Sequence, residues 1–258
     1  MKKYLLLIFF ITTIGCADLP RDNTLDPKNP DAEADQVAVV ENFIMHYTNF
    51  DSIPNVIQYS QEASYELKGD FGGKVLILEY HMTPSDNSLE DSLSSPDIDF
   101  RYTTEYRGST PRGFPHTFFN GKQTWIQGAS SKATVKDRYK LILDSLTLKK
   151  VKLYCEGQTS FNADTLTVGG QIARYGDSNI ENLVVEMVVI EDKGDYLHYV
   201  VREALLPQSI TSITPKTIHD LIPRAFVIPA GSDRNSFAVV ILVKDNISKK
   251  ILQAALAE

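Results

Sequence analysis

The chain has 258 residues, a hydrophobic content of 43%, and a formal net charge of −7 from 26 Lys and Arg against 33 Asp and Glu. This composition is typical of a folded globular protein and excludes a wholly disordered chain. An acidic chain without a basic stripe has no electrostatic reason to bind nucleic acid, so we expect no nucleic-acid partner.

The first residues have the organisation of a secretory signal. Lys2 and Lys3 precede an apolar run from Leu5 to Ile14, and an apolar run of about ten residues after a basic start is typical of an exported chain. The run is too short to span a bilayer comfortably, since spanning takes about 20 residues.

The segment Thr13-Ile14-Gly15-Cys16 resembles a lipobox, the site at which bacterial envelope lipoproteins are diacylated and cleaved. Thr13 stands where Leu is usual. The resemblance implies a signal peptide over residues 1–15 and a lipid such as palmitate on Cys16. The three prolines and six Asp or Asn residues that follow, with no apolar period, predict an extended tether over residues 16–35. Ala17 is not the Asp that retains some lipoproteins at the inner membrane, which favours the outer membrane. A plain secreted protein and an uncleaved anchor are the alternatives.

Strand-like and helix-like patterns alternate over residues 36–148. In chain order the patterns predict a strand (37–43), a helix opened by Pro54, a strand (74–80), a short helix (100–106), two strands (114–119 and 124–127) and a helix (131–146). The helix after Pro54 has an apolar stripe of Val56, Tyr59, Ala63 and Leu67. Asn120-Gly121 predicts the turn that joins the two short strands. This alternation predicts an α/β domain with a largely parallel sheet between helices and an antiparallel hairpin at its end.

Helical periodicity largely vanishes after residue 149. Strand-like segments recur at 151–155, 165–174, 183–190, 197–205, 225–228 and 237–243. Short strands separated by turn-rich pieces predict an all-β immunoglobulin-like sandwich over residues 149–258. Gly169-Gly170 within a strand predicts a bulge or a close backbone approach. We expect two separate modules joined near Lys149-Lys150.

Cysteine content limits the possible chemistry. The only cysteines are Cys16 and Cys155. If Cys16 carries lipid, Cys155 is the only thiol, which excludes an intramolecular disulfide, a Cys-x-x-Cys motif and a four-cysteine zinc site. The apolar residues around Cys155 predict a buried thiol in a strand.

The order of elements before residue 149 resembles that of thioredoxin. Gly113-Phe114-Pro115-His116-Thr117-Phe118-Phe119-Asn120-Gly121 is similar to the superfamily segment in which a cis-proline begins the third core strand. The resemblance implies that the Phe114–Pro115 bond is cis, which an X–Pro bond adopts at a cost of about 0.5–1 kcal/mol.

A resemblance to thioredoxin-like envelope lipoproteins related to outer membrane protein 28 extends from about Val37 to Ala255. Its residues are Val39-Val40-Glu41-Asn42-Phe43, Leu76-Ile77-Leu78-Glu79-Tyr80-His81, the segment from Gly113 to Gly121, and Val239-Val240-Ile241-Leu242-Val243-Lys244-Asp245. Redox-active members carry Cys-x-x-Cys after the first strand, where this chain has Thr48 and Asp51. A thioredoxin reaction needs two thiols, so we expect no thiol redox activity.

These observations predict a non-catalytic, lipid-anchored envelope protein that binds a peptide or another envelope protein and needs no cofactor. The candidate binding face consists of Tyr47, Thr48, Phe50, Asp51, Phe114, Pro115 and His116. We assign no catalytic residue and no metal ligand. One alternative is an envelope enzyme with a rebuilt site, using either a metal at His46, Asp51 and His116 or the single thiol. The other is a structural surface protein that binds through the sandwich.

Overall fold

A computed structural model describes residues 26, 28–29, 32–45, 55–83, 91, 93–108, 113–195 and 197–258. The chain is a mixed α/β protein that consists mostly of β-sheet. The predicted signal peptide, Cys16 and most of the predicted tether lie outside the described residues, as do Tyr47, Thr48, Phe50 and Asp51. Among the residues that the structure describes, no helix is both long enough and apolar enough to cross a membrane.

The part before residue 149 follows the predicted order of elements. Its elements are β1 (Ala34–Asp35), β2 (Ala38–Ile44), α1 (Asn55–Phe71), a 3₁₀ turn (Gly72–Lys74), β3 (Val75–His81), α2 (Pro96–Arg101), a π-helical turn (Tyr102–Tyr106), β4 (His116–Phe119), β5 (Trp125–Gln127) and α3 (Lys132–Thr147). Local sequence sets the helix starts. The hydroxyl of Ser95 accepts a hydrogen bond from the Ile98 amide at the start of α2, and that of Ser131 accepts one from the Thr134 amide at the start of α3.

The part after residue 149 is almost entirely β. Its elements are β6 (Lys150–Val151), β7 (Leu153–Asn162), β8 (Thr165–Arg174), β9 (Ile180–Glu191), β10 (Val200–Ala204), β11 (Gln208–Ile213), β12 (Thr217–Asp220), β13 (Arg224–Val227), a 3₁₀ turn (Arg234–Ser236), β14 (Phe237–Asp245) and β15 (Ile251–Ala257). The prediction missed β11, β12 and β15. The first two are short and polar, and β15 is rich in Ala, which favours helix by itself.

One nine-stranded sheet runs through both parts of the chain. Its strand order is β15-β14-β9-β10-β3-β2-β4-β5, and β11 also pairs with β9. β2 is parallel to β3 and antiparallel to β4. The two parts meet where β10 lies parallel to β3 at the pair Val200–Glu79, and the Glu79 amide donates to the Tyr199 carbonyl at 2.9 Å. The domain boundary near residue 149 stays a prediction. The expectation of two separate modules is wrong in one respect. The large sheet does not end at the boundary, because its strand pairing continues across it from β10 to β3.

A second, four-stranded sheet of β7, β8, β12 and β13 packs against the β9, β11, β14 and β15 end of the large sheet. Their shared core includes Cys155, Val168, Met187 and Ile241. The close backbone approach predicted at Gly169-Gly170 occurs at Gly170, where a Cβ atom would collide with the Glu156 carbonyl oxygen. Glycine is therefore required there for β7 and β8 to pair.

Helices cover both faces of the β2–β5 region. One face packs against α1 and α3 through a core that includes Val40, Leu67, Ile77 and Tyr139. The other packs beneath α2 and the π-helical turn and continues without a break onto β9 and β14. This explains why β2 and β3 are mostly apolar, since both faces of these strands are buried.

The N-terminal end of the described chain docks at the junction of the two parts. β1 pairs antiparallel with β6, and the Gln36 amide donates to the Lys149 carbonyl at 2.9 Å. The buried side chain of Gln253 accepts from the Val37 amide at 2.9 Å and donates to the carbonyls of Asp35 and Leu153. One glutamine on β15 thus ties together three chain segments that are distant in sequence.

Candidate functional site

The described part of the predicted binding face is centred on Pro115. The Phe114–Pro115 bond is cis, as predicted. The Phe114 ring lies 5.4 Å from the ring of Tyr102, and the Pro115 carbonyl accepts a hydrogen bond from the Gly128 amide at 2.8 Å. Because the other four residues of this face lie outside the described residues, the complete face stays a prediction.

His116 does not have the exposed position that a ligand-orienting residue needs. Its side chain is 0% exposed, and its Nδ1 lies 2.9 Å from the Tyr102 hydroxyl. Phe118 and Trp125 flank the imidazole with ring centroids at 4.2 and 5.1 Å. Burial lowers the pKa of His116 to about 4, so the neutral imidazole is favoured. His116, which the sequence places in the candidate binding face, therefore lies in the core, and the side chain that reaches solvent beside it is Trp125, at 45% exposure.

A layer of neutral polar groups lies between α1, α3 and the sheet. The Tyr139 hydroxyl is 2.9 Å from the Ser60 hydroxyl and 2.6 Å from that of Thr117. Ser60 and Thr117 both donate to the Asn42 side-chain oxygen, at 3.1 and 2.8 Å. All four residues are buried. The apolar stripe predicted for α1 is thus incomplete, because the buried face of α1 also carries Ser60, Gln61 and Ser64.

Glu79 on β3 is an ionisable residue that lies beside this neutral layer. Its carboxylate oxygen Oε2 accepts from the Tyr65 hydroxyl at 2.7 Å and from the Gln61 amide at 3.3 Å. Burial raises the pKa of Glu79, although His81 and these hydrogen bonds act in the opposite direction. Two residues further along β3, the Nδ1 atom of His81 lies 2.9 Å from Asp91 Oδ2 in a buried pair.

The opposite face of the sheet carries a buried network of charged residues. Arg101 lies 2.8 Å from Glu186 and 3.5 Å from Glu41. Lys244 donates to Glu186 at 2.9 Å and to Glu105 at 3.1 Å. These residues come from β2, α2, the π-helical turn, β9 and β14, so the network spans the junction of the two parts.

The pKa values of the two buried carboxylates of this network, Glu41 and Glu186, are shifted in opposite directions. Burial acts to raise the pKa of Glu186, but the charges and hydrogen bonds of Arg101 and Lys244 outweigh it and lower the pKa to about 2. For Glu41, burial is the larger effect and raises the pKa, although Arg101, Lys244 and the Tyr106 hydroxyl act to lower it. Direct ion pairs with both Arg101 and Lys244 therefore favour the charged form of Glu186.

Cys155 lies in the core between the two sheets, as the sequence predicts. Its side chain is buried. Burial, with a smaller effect from Glu156, raises the pKa of its thiol to about 12. A thiol reacts as the thiolate, so these surroundings disfavour nucleophilic chemistry at Cys155.

Clustered metal ligands are absent from the described part of the chain, where no group of three His, Cys, Asp or Glu side chains could hold an ion. The metal alternative also involves His46 and Asp51, which lie outside the described residues, so it stays untested.

Sequence reasoning missed both buried polar clusters. A signal was present, since Glu41-Asn42 and Glu79 interrupt otherwise apolar strands, and a charged residue inside such a run needs a buried partner. The partners Arg101, Glu186 and Lys244 are distant in sequence, and single-sequence patterns do not identify pairs of that kind.

Comparison with known proteins bears on the fold. No protein-family model and no curated protein matches the chain. The structure is similar to HBP35 of Porphyromonas gingivalis, with a TM-score of 0.64 and 14% sequence identity over 86% of this chain and 74% of that chain. A domain of the outer membrane lipoprotein Omp28 from Porphyromonas gingivalis matches with a TM-score of 0.34 and 12% identity over 42% of this chain and 88% of that chain. At this level of identity, the similarity to HBP35 shows that the two chains share a β-rich α/β fold.

Proposed function

We propose that this chain is a lipid-anchored protein of the bacterial cell envelope, held by a lipid on Cys16, that binds a protein or peptide partner and does not exchange disulfides. The lipobox-like segment before Cys16 supports the anchor and the outer-membrane location. The resemblance of the sequence to the lipoproteins related to outer membrane protein 28 supports the same location.

The fold assignment in this proposal is a thioredoxin-like part followed by an immunoglobulin-like sandwich. The strand order β3-β2-β4-β5, with β2 parallel to β3 and antiparallel to β4, supports the first assignment. Two sheets facing each other across the core of Val168 and Ile241 support the second. Since the parts share one sheet, the chain would present its partner with a single rigid body.

The position of Cys155 is the observation that carries the non-redox function. Apart from Cys16 it is the only thiol of the chain, and it lies buried between the two sheets with its pKa raised to about 12. A disulfide exchanger needs an accessible thiolate and a second thiol. Thr48 and Asp51, which align with the two cysteines of redox-active relatives, supply neither.

Membrane fractionation tests the anchor. Cys16→Ser should leave the precursor unprocessed or release the protein into the soluble fraction, whereas Cys155→Ser should fractionate like the parent chain. A Cys16→Ser variant that stays membrane-bound with the mature mass of the parent would refute the lipid anchor.

An insulin-reduction assay tests the absence of disulfide exchange. Activity above blank that disappears in Cys155→Ala would refute the non-redox function.

Site-specific photocrosslinking in intact membranes tests the binding face. A photoreactive amino acid at Trp125 or Thr48 should crosslink the partner, while one at Phe161, an exposed aromatic residue on β7, should not. Crosslinking from Phe161 alone would assign binding to the sandwich and refute the proposed face.

A further inference from the structure

A cleft lies where the large sheet opens at the junction of the two parts. β10 begins only at Val200, and its pairing with β3 consists of Val200 opposite Glu79. Within the described residues, the part of β3 before Glu79 therefore has no strand on that edge. The opening has a volume of about 220 Å³, with Leu76 on one side and Ile190, Ala238 and Val240 on the other.

The walls of this cleft are apolar and its mouth is polar. Leu76, Ile190 and Val240 are buried. Lys68, Asp192 and His198 are more exposed and stand at the mouth. Ligand sites in proteins are typically apolar clefts with a few polar groups, and they occur preferentially where two parts of a fold meet.

Lys68 is the polar group at the mouth that lacks a counter-ion. Its ammonium group donates to the Gly72 carbonyl at 2.9 Å, and in the described part of the chain it forms no ion pair. Burial lowers its pKa, with no opposing contribution from a carboxylate. Asp192, the acidic residue of the mouth, is 3.0 Å from His198 Nδ1 and so already has a partner. A half-buried cation of this kind is stabilised when an anion binds beside it.

We infer that this cleft binds a small monocarboxylate, with the carboxylate paired to Lys68 and the apolar body between β3 and β14. A cavity of about 150 Å³ is enough for benzene, so 220 Å³ admits an apolar body of about six carbons. This site is separate from the Pro115 face and does not depend on the proposed function.

Calorimetric titration of the folded chain with hexanoate and with 1-hexanol tests the inference. The two probes share an apolar chain and differ in charge. Hexanoate should bind saturably and more tightly than hexanol. Lys68→Met should weaken hexanoate binding about tenfold, as expected for loss of a charge-assisted contact, and leave hexanol binding unchanged. Lys122→Met, at an exposed lysine outside the cleft, is the matched control and should bind both probes like the parent chain.

A second variant tests the apolar walls. Ala238→Leu reduces the cleft volume and should weaken both probes, with its thermal unfolding measured alongside to establish that the chain is folded. The inference is wrong if hexanoate does not bind saturably, if Lys68→Met binds it as the parent chain does, or if folded Ala238→Leu retains full affinity.

Discussion

The two faces of the large sheet contain buried polar groups of opposite kinds. Beneath α2, the network of Glu41, Arg101, Glu186 and Lys244 is ionic. Beneath α1, the layer around Tyr139 is held by neutral hydrogen bonds. The ionic network joins the two parts of the chain, whereas the neutral layer lies within the first part. The difference shows that burial alone does not set the charge of a buried polar group in this fold, since the available partners decide it.

Removing one cation of the ionic network should lower the free energy of unfolding more than any change in the neutral layer. Lys244 is 1% exposed and pairs with both Glu186 and Glu105. Lys244→Met leaves the buried Glu186 with Arg101 as its remaining counter-ion, so we expect a loss of about 3 kcal/mol in the free energy of unfolding. Urea denaturation measures this loss. Lys140→Met breaks the exposed pair with Asp144 and the cation–π contact with the Phe71 ring, and should cost no more than about 1 kcal/mol. Equal losses in the two variants would show that the ionic network is not a special element of stability.

Acid titration should report on Glu186. Its folded-state pKa of about 2 lies below its ordinary value of 4.5, so its contribution is present above pH 4.5 and is lost as the pH falls toward 2. The linked free energy is about 3 kcal/mol. Glu186→Gln should therefore flatten the loss of stability between pH 4.5 and 2. Glu181→Gln, at an exposed position on the same strand, is the matched control variant, and an acid dependence in Glu186→Gln as steep as that of the parent chain would contradict the assignment.

The neutral layer should respond less strongly to mutation. Tyr139→Phe removes the hydroxyl shared by Ser60 and Thr117, and we expect a loss of about 1–2 kcal/mol because buried hydroxyls lose a partner. Chemical denaturation measures this loss. Tyr59→Phe, whose hydroxyl makes no hydrogen bond within the described residues, should change stability by less than about 0.5 kcal/mol. A neutral result for Tyr139→Phe would mean that the layer contributes shape rather than hydrogen-bond energy.

Glu79 should show the reverse pH dependence to Glu186. Its folded-state pKa is raised above 4.5, so the folded chain binds more protons than the unfolded chain and stability falls as the pH rises from 4.5 toward the folded-state pKa. Glu79→Gln does not titrate, so its stability relative to the parent should increase by up to about 1.4 kcal/mol per pH unit in that window. Unfolding curves at pH 4.5 and above measure this slope. Glu203→Gln, at an exposed position on β10, is the matched control variant. The absence of a slope in Glu79→Gln would refute the raised pKa of Glu79.

Sequence patterns predicted the strands whose surroundings are uniform. β3 is buried on both faces, so a continuous apolar run identified it, and Asn120-Gly121 indicated the turn after β4. β12 has little apolar content of its own and exists because Thr217 to Asp220 pair with β8. The burial of His116 likewise depends on tertiary packing. Phe118 and Trp125 surround its imidazole, and the polar side chain itself gives no sign of burial in the sequence. Pairing between distant strands, such as β10 with β3, has no local signal.

The docking of β1 at the junction has a mechanical consequence. Any chain attached upstream of Ala34 enters the folded body beside β6, between its two parts, and not at a distant end. A pull on that chain would first load β1 against β6 and then the hydrogen bonds of Gln253, which join Asp35, Val37 and Leu153. A force applied through a tether would thus act on both parts at once, because β1 and Gln253 are hydrogen-bonded to both.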